Sequence, residues 1–255
     1  MPLAQVNREP TTPVFRALAR TVNRLLNGVG MRRLWLDHHN LPTTGQVIVV
    51  ANHMSYFDAL AVGEFVVWSG RWPHHLGKAQ LWRVPILGWL ARRTEQIPVH
   101  RGTTHAADAL VAARAALATG RCVVVYPEGT LTRDPDLWPM VGRTGAARLA
   151  LATGAPIVPV AHWGAQQVIP GAKAGLPRLF GGKVVTVRCG EPIDLSDLHA
   201  CVGTEDEHRA VQVATVRIMD AITTLLETLR DEPAPPTRWD ERAGRRVQPG
   251  PATLG

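Results

Sequence analysis

The sequence predicts an α/β fold: a mixed, largely parallel central sheet flanked by helices, with an amphipathic helical element at the N-terminus. Three observations predict it. Short apolar runs alternate with segments of helical period between residues 45 and 190. Gly120 and Gly154 stop two of the helical segments directly before apolar runs. Two of the apolar runs lead straight into polar, chemistry-bearing turns, as strands of a parallel sheet do at their carboxyl ends. Strands are expected at 46–51, 74–78, 96–99, 122–126, 156–161 and 183–189, and helices at 57–69, 85–93, 103–119 and 142–153. A last helix, 205–230, carries Val211, Val213, Ile218, Ile222, Leu225, Leu226 and Leu229 on its apolar face.

The ends read differently. Residues 1–11 are polar and expected to be disordered, and the Pro-, Arg- and Gly-rich stretch 231–255 is expected to be a disordered tail. Between 12 and 38, Thr12-Pro13 opens a helix in which Val14, Phe15, Leu18, Val22, Leu25 and Leu26 recur at helical spacing. Arg16, Arg20 and Arg24 lie four residues apart, and Gly28 and Gly30 end the helix. Such a basic amphipathic helix either lies on an anionic bilayer or packs on its own domain with its arginines in water, and 12–38 is expected to be a membrane-contact segment. The remaining domain spans 39–230.

Composition narrows the class. The 255 residues carry a net charge of +7, nearly all of the basic side being Arg, with Lys78, Lys173 and Lys183 the only lysines. That balance fits an anionic partner such as phospholipid headgroups, coenzyme A or nucleic acid, and points to a high-GC bacterial source. Cys122, Cys189 and Cys201 form no C-x-x-C pair and read as small core residues of a reducing compartment. No apolar run reaches 18 residues, and no signal-peptide order opens the chain. The protein is therefore expected on the cytoplasmic side, with membrane contact still possible from the surface. The adjacent pairs His38-His39 and His74-His75 have no metal-ligand spacing, and no phosphate-loop or dinucleotide fingerprint occurs, so no metal or cofactor is expected.

The chemistry concentrates in two turns. Asn52-His53-Met54-Ser55-Tyr56-Phe57-Asp58 follows the strand Val47–Ala51, and Tyr126-Pro127-Glu128-Gly129-Thr130 follows Cys122–Val125. A neutral imidazole can take a proton from a hydroxyl, and a nearby carboxylate can fix its tautomer. Together these turns resemble the first (N-H-x-S-x-x-D) and third (F/Y-P-E-G-T) motifs of the PlsC-like 1-acylglycerol-3-phosphate acyltransferase family. Gln96–Thr103 resembles the second motif, and Ala155–Val160 the fourth, an apolar strand with an internal proline. The resemblance covers about residues 35–200.

The resemblance implies that His53 is a general base oriented by Asp58, with Asn52 and Ser55 beside it as substrate-binding residues. The acceptor would be bound by Glu128, Gly129 and Thr130, and its phosphate by Arg101, with Lys78 as a second charge. Relatives commonly carry Arg directly after the motif Thr; here Leu131 stands there, and Arg133 or Arg143 would replace its charge. The implied reaction is transfer of an acyl group from acyl-CoA or acyl carrier protein to lysophosphatidic acid, giving phosphatidic acid. The thioester is a co-substrate, and no nucleic-acid partner is expected. Trp68, Trp72, Trp82 and Trp89, interleaved with Arg71, Arg83, Arg92 and Arg93, suit a peripheral or monotopic seat on the membrane. Rival readings are another acceptor (glycerol-3-phosphate, another lysophospholipid or an ornithine lipid), a transacylase, a non-catalytic lipid-binding protein, and a hydrolase using Ser55.

Overall fold

The computed structural model describes residues 3–99, 106–171 and 176–254. Nine strands and eight helices follow the chain as α1 (Leu3–Val6), α2 (Pro13–Gly28), β1 (Arg32–Leu36), β2 (Val47–Ala51), α3 (Asp58–Trp68), β3 (Pro73–Lys78), α4 (Pro85–Arg93), β4 (Ile97–Val99), α5 (Ala106–Ala118), β5 (Cys122–Val125), α6 (Gly145–Thr153), β6 (Ile157–Trp163), α7 (Ala165–Val168), β7 (Val184–Cys189), α8 (Glu207–Arg230), β8 (Arg238–Asp240) and β9 (Arg245–Val247), counted among the described residues.

Seven strands form one sheet in the order β1-β7-β6-β2-β5-β3-β4. Every pairing in it is parallel except β6 with β7. The central strands read as unbroken apolar runs because both faces are covered. Val47 and Val49 of β2 pack with Phe65 of α3 and Val185 of β7. Ile48 and Val50 face the other way, onto Leu149 of α6 and Ile218 of α8. The fourth-motif strand, β6, is an interior strand between β2 and β7. Pro159 is accommodated because the antiparallel ladder with β7 begins one residue later, at Val160–Cys189.

Sequence reasoning overlooked β1. It is an edge strand with Arg32 and Arg33 at its start and alternate residues in solvent, so it lacks the continuous apolar signature. Both expected disordered ends are also corrected. Leu3 and Asn7 are buried, and Glu9 accepts the backbone N–H of Trp72 at 2.9 Å. At the other end β8 and β9 form an antiparallel hairpin, tied down where Arg238 meets Asp220 at 2.6 Å.

The N-terminal helix α2 packs on its own domain along one face, burying Phe15 and Leu26. Thr12 caps it by accepting the N–H of Phe15 at 3.1 Å, and Pro13 occupies its first turn. The buried Phe15 ring meets Trp72 at 4.8 Å. Arg71 and Trp72, read from sequence as interfacial, are fully buried. The Arg71 guanidinium donates to the carbonyls of Pro42, Gly45 and Gly120, each at 2.7 Å, tying three loops together.

Candidate active site

Strands β2 and β5 are parallel neighbours, so their carboxyl ends open on one edge of the sheet and bring the two polar turns together. Asp58 is the first residue of α3, where the helix dipole favours a carboxylate. The turn folds back so that one oxygen, Oδ2, accepts three donors: the N–H groups of Met54 at 2.6 Å and Ser55 at 2.7 Å, and His53 Nδ1–H at 2.9 Å. The Asp58 side chain is fully buried, while the His53 ring is 18% exposed. Donation from Nδ1 leaves the lone pair on Nε2, which has no hydrogen-bond partner among the described residues. This is the arrangement a general base requires.

The backbone of His53 is gripped from the second turn. Its N–H donates to Glu128 Oε1 at 2.9 Å, and its carbonyl accepts the N–H of Thr132 at 2.7 Å. The other Glu128 oxygen accepts the N–H of Met140 at 3.0 Å. Burial pushes the Glu128 carboxyl up to about 8, with these two N–H bonds pulling the other way. Tyr126 stacks on the His53 ring at 4.2 Å and 22°, and it also meets the nearly parallel His75 ring at 6.1 Å. Burial raises the Tyr126 phenol well above its ordinary range and pushes His75 down to about 3, so both stay neutral beside the imidazole.

Three residues expected to contact substrate sit behind the imidazole instead. Asn52, Ser55 and Glu128 are all buried. The Asn52 amide accepts the N–H of His162 at 2.9 Å and donates to the His162 carbonyl at 3.1 Å, continuing the β2–β6 ladder by side chain. Ser55 Oγ donates to the Ile169 carbonyl at 2.8 Å and accepts the N–H of Phe57 at 3.0 Å, so it is not placed as a nucleophile. Glu128 holds the His53 peptide, as above. Their types and positions were legible; which way they face is a matter of burial.

The remaining expected residues are nearer the surface. Lys78 is exposed at the end of β3, Arg133 is exposed, and Thr130 is half-buried. Arg101 lies outside the described residues. Gly129 has φ +72°, and a Cβ there would come within 2.7 Å of the Arg143 side chain, which lies across the turn. Leu131 is buried, which accounts for an apolar residue at that position. Sequence reasoning missed His162 and gave Tyr126, the first residue of the third motif, no role. His162 is fully buried; its Nε2 donates to the Asn52 carbonyl at 2.9 Å and lies 3.6 Å from Asp58 Oδ1. His162 stands on β6, so no local spacing announced it, whereas Tyr126 opens the third motif directly after β5.

An apolar groove of about 150 Å³ runs between α2 and α3. Phe15, Leu18, Val22, Leu60 and Val67 line it, and His75 stands in its wall. The stacked rings of His75, Tyr126 and His53 thus lead from groove to base.

A hidden carboxylate, an outward imidazole and an adjoining apolar groove form a site for acyl chemistry, and residues 36–163 match the Acyltransferase family model. The chain belongs to the acyltransferase family. It is similar to the 1-acyl-sn-glycerol-3-phosphate acyltransferase of Salmonella typhimurium, 30% identical over 159 residues, which are 60% of this chain and 59% of that one. It is also similar to the lyso-ornithine lipid O-acyltransferase of Pseudomonas aeruginosa, 30% identical over 179 residues (65% of this chain, 66% of that). A chloroplastic 1-acyl-sn-glycerol-3-phosphate acyltransferase of Brassica napus is 27% identical over 54% of this chain, a stretch spanning only 39% of the Brassica protein. The crystal structure of the 1-acyl-sn-glycerophosphate acyltransferase PlsC from Thermotoga maritima shares the fold: TM-score 0.63, 21% identity, 89% of this chain and 81% of that chain.

Proposed function

We propose that this protein moves an acyl group from acyl-CoA or acyl carrier protein to the free hydroxyl of 1-acylglycerol-3-phosphate, yielding phosphatidic acid. The observation that carries the reading is His53: Nδ1–H on a fully buried Asp58, Nε2 open, at the carboxyl edge of the sheet beside an apolar groove. Nε2 takes the acceptor's hydroxyl proton as that oxygen attacks the thioester carbonyl carbon. The C–S bond then breaks, and the imidazolium returns its proton to the departing thiolate. Asp58 stabilises the imidazolium in between, and no acyl-enzyme forms. A base so placed is worth about 10²–10⁴-fold. Arg133, Arg143, Lys78 and Arg101 are the charges available to an acceptor phosphate, and Gly129 lets the backbone of the turn come close to it.

The test is thioester consumption by purified protein in detergent, with oleoyl-CoA and a panel of acceptors: lysophosphatidic acid, glycerol-3-phosphate and lyso-ornithine lipid. Phosphatidic acid as the main product is expected. Turnover confined to either other acceptor would overturn the assigned acceptor, and the absence of turnover with all three would overturn the activity.

The reading includes a peripheral seat on the cytoplasmic face of an anionic membrane. Among the described residues no helix is long and apolar enough to cross one. The start of α2 is joined to the end of α4, where Thr12 Oγ donates to the Arg93 carbonyl at 2.6 Å. On and just before α4, Leu81, Val84, Ile86, Leu87 and Trp89 are exposed, Ile86 by 74%, amid exposed Arg83, Arg92 and Arg93. Apolar side chains ringed by arginine suit the headgroup boundary. Burying Ile86 or Trp89 in lipid is worth about 1.5 kcal/mol or more each. Sedimentation with anionic vesicles is therefore expected to weaken at least about tenfold in Ile86→Asp/Trp89→Asp. Unchanged binding by that variant would remove α4 from the contact.

A further inference from the structure

The C-terminal hairpin reaches the active site through one loop. Arg246 of β9 grips Asp134 with two parallel bonds, Nε to Oδ2 and Nη2 to Oδ1, both at 2.8 Å; Nη2 also meets Asp136 at 2.8 Å. The Asp134 side chain is 1% exposed. It organises the loop from within, its Oδ1 accepting the N–H of Asp136 at 2.9 Å and of Trp138 at 3.4 Å. Both ends of that loop hold His53. At one end the Thr132 N–H donates to the His53 carbonyl; at the other the Met140 N–H binds Glu128, whose second oxygen takes the His53 N–H. The next residue, Val141, donates to the Trp239 carbonyl of β8 at 2.9 Å, so the hairpin also holds the loop's exit.

We infer that Arg246 is a positioning residue for the base: through Asp134 and the 132–140 loop it sets where the His53 peptide lies. The inference rests on His53 being the base. A buried carboxylate that loses its guanidinium partner must find water, and the loop must open to admit it. Both backbone contacts to His53 move with the loop, and small misplacements of a reacting group lower rates steeply. The planar fork matches the two carboxylate oxygens together; a lysine at the same place supplies a point charge. The hairpin has other anchors in Arg238–Asp220 at 2.6 Å and Glu241–Arg143 at 2.8 Å, so removing Arg246 releases the loop without releasing the hairpin.

The experiment compares the full chain with Arg246→Ala, Arg246→Lys and, as a control, Arg245→Ala on the same strand. Arg246→Ala is expected to lower kcat at least about tenfold with KM for thioester and acceptor changed less than about twofold. Arg246→Lys is expected to recover part of the loss, and Arg245→Ala to match the parent. Amide hydrogen exchange gives a readout independent of turnover. In Arg246→Ala the Thr132 and Met140 amides are expected to lose protection while Val49 and Val124 of the sheet keep theirs. Unchanged protection at Thr132 and Met140, equal loss across the sheet, or an unchanged kcat in an active parent would each overturn the inference. An inactive parent would remove the catalytic reading, and the exchange pattern would then decide the link between Arg246 and the loop.

Discussion

Replacing His53 by alanine is expected to lower kcat by about 10²–10⁴-fold while the protein stays folded. The factor is that of a positioned base: without Nε2 the acceptor hydroxyl must lose its proton to water as it attacks. The fold survives because the ring is partly exposed and the His53 peptide keeps its bonds to Glu128 and Thr132, which do not involve the side chain. Truncation does leave Asp58 without one of its donors, but the N–H groups of Met54 and Ser55 remain on the same oxygen. Steady-state kinetics with the preferred acceptor, beside a thermal melt, check both halves. A variant retaining more than about a tenth of the parent's kcat would remove His53 as the base.

Asp58→Asn is expected to lose activity on a similar scale, about 10²-fold or more, because the charge that stabilises the imidazolium disappears from a buried site. Oδ2 accepts three donors at once, which a carboxylate does well and an amide only with its oxygen turned that way. The amide nitrogen then replaces Oδ1, 3.6 Å from His162 Nε2, a nitrogen that is itself a donor. Asp58→Ala goes further: it strands two buried backbone N–H groups at about 1–3 kcal/mol each, so its melting point is expected to fall well below that of the Asn variant. Because the two residues act as one unit, His53→Ala/Asp58→Asn is expected to be no slower than His53→Ala alone. A double variant whose losses multiply would give Asp58 a part in catalysis apart from His53.

The local half of the site was legible because it is written in one turn. The spacing from His53 to Asp58 lets a carboxylate at a helix start reach back to the two N–H groups before it and to the imidazole of the same turn. Strands were legible where they lie inside the sheet: 122–126 was expected and Cys122–Val125 is observed, since burial on both faces demands an unbroken apolar run. The edge strand β1 carries no such run and was not legible. Nor was the hairpin β8–β9, whose stability comes from Asp220 and Asp134, far away in sequence.

Sequence by itself determined the fold class, the acyltransferase family, the pairing of His53 with Asp58, and the basic, apolar-studded character of the segment around α4. These depend on residue type and short spacing, which the chain carries whatever its path. Tertiary structure alone decided which motif residues lie near the surface and which are buried behind the His53 ring. Asn52, Ser55 and Glu128 are polar and belong to the motifs, yet each spends its hydrogen bonds on backbone groups of other elements or of its own turn. Folding likewise chose His162 and Tyr126 as neighbours of Asp58 and His53, and Arg246 as the far anchor of their loop. The physical reason is the same in each case: burial of a polar group is tolerated only where its partners converge, and those partners come from strands and loops distant along the chain.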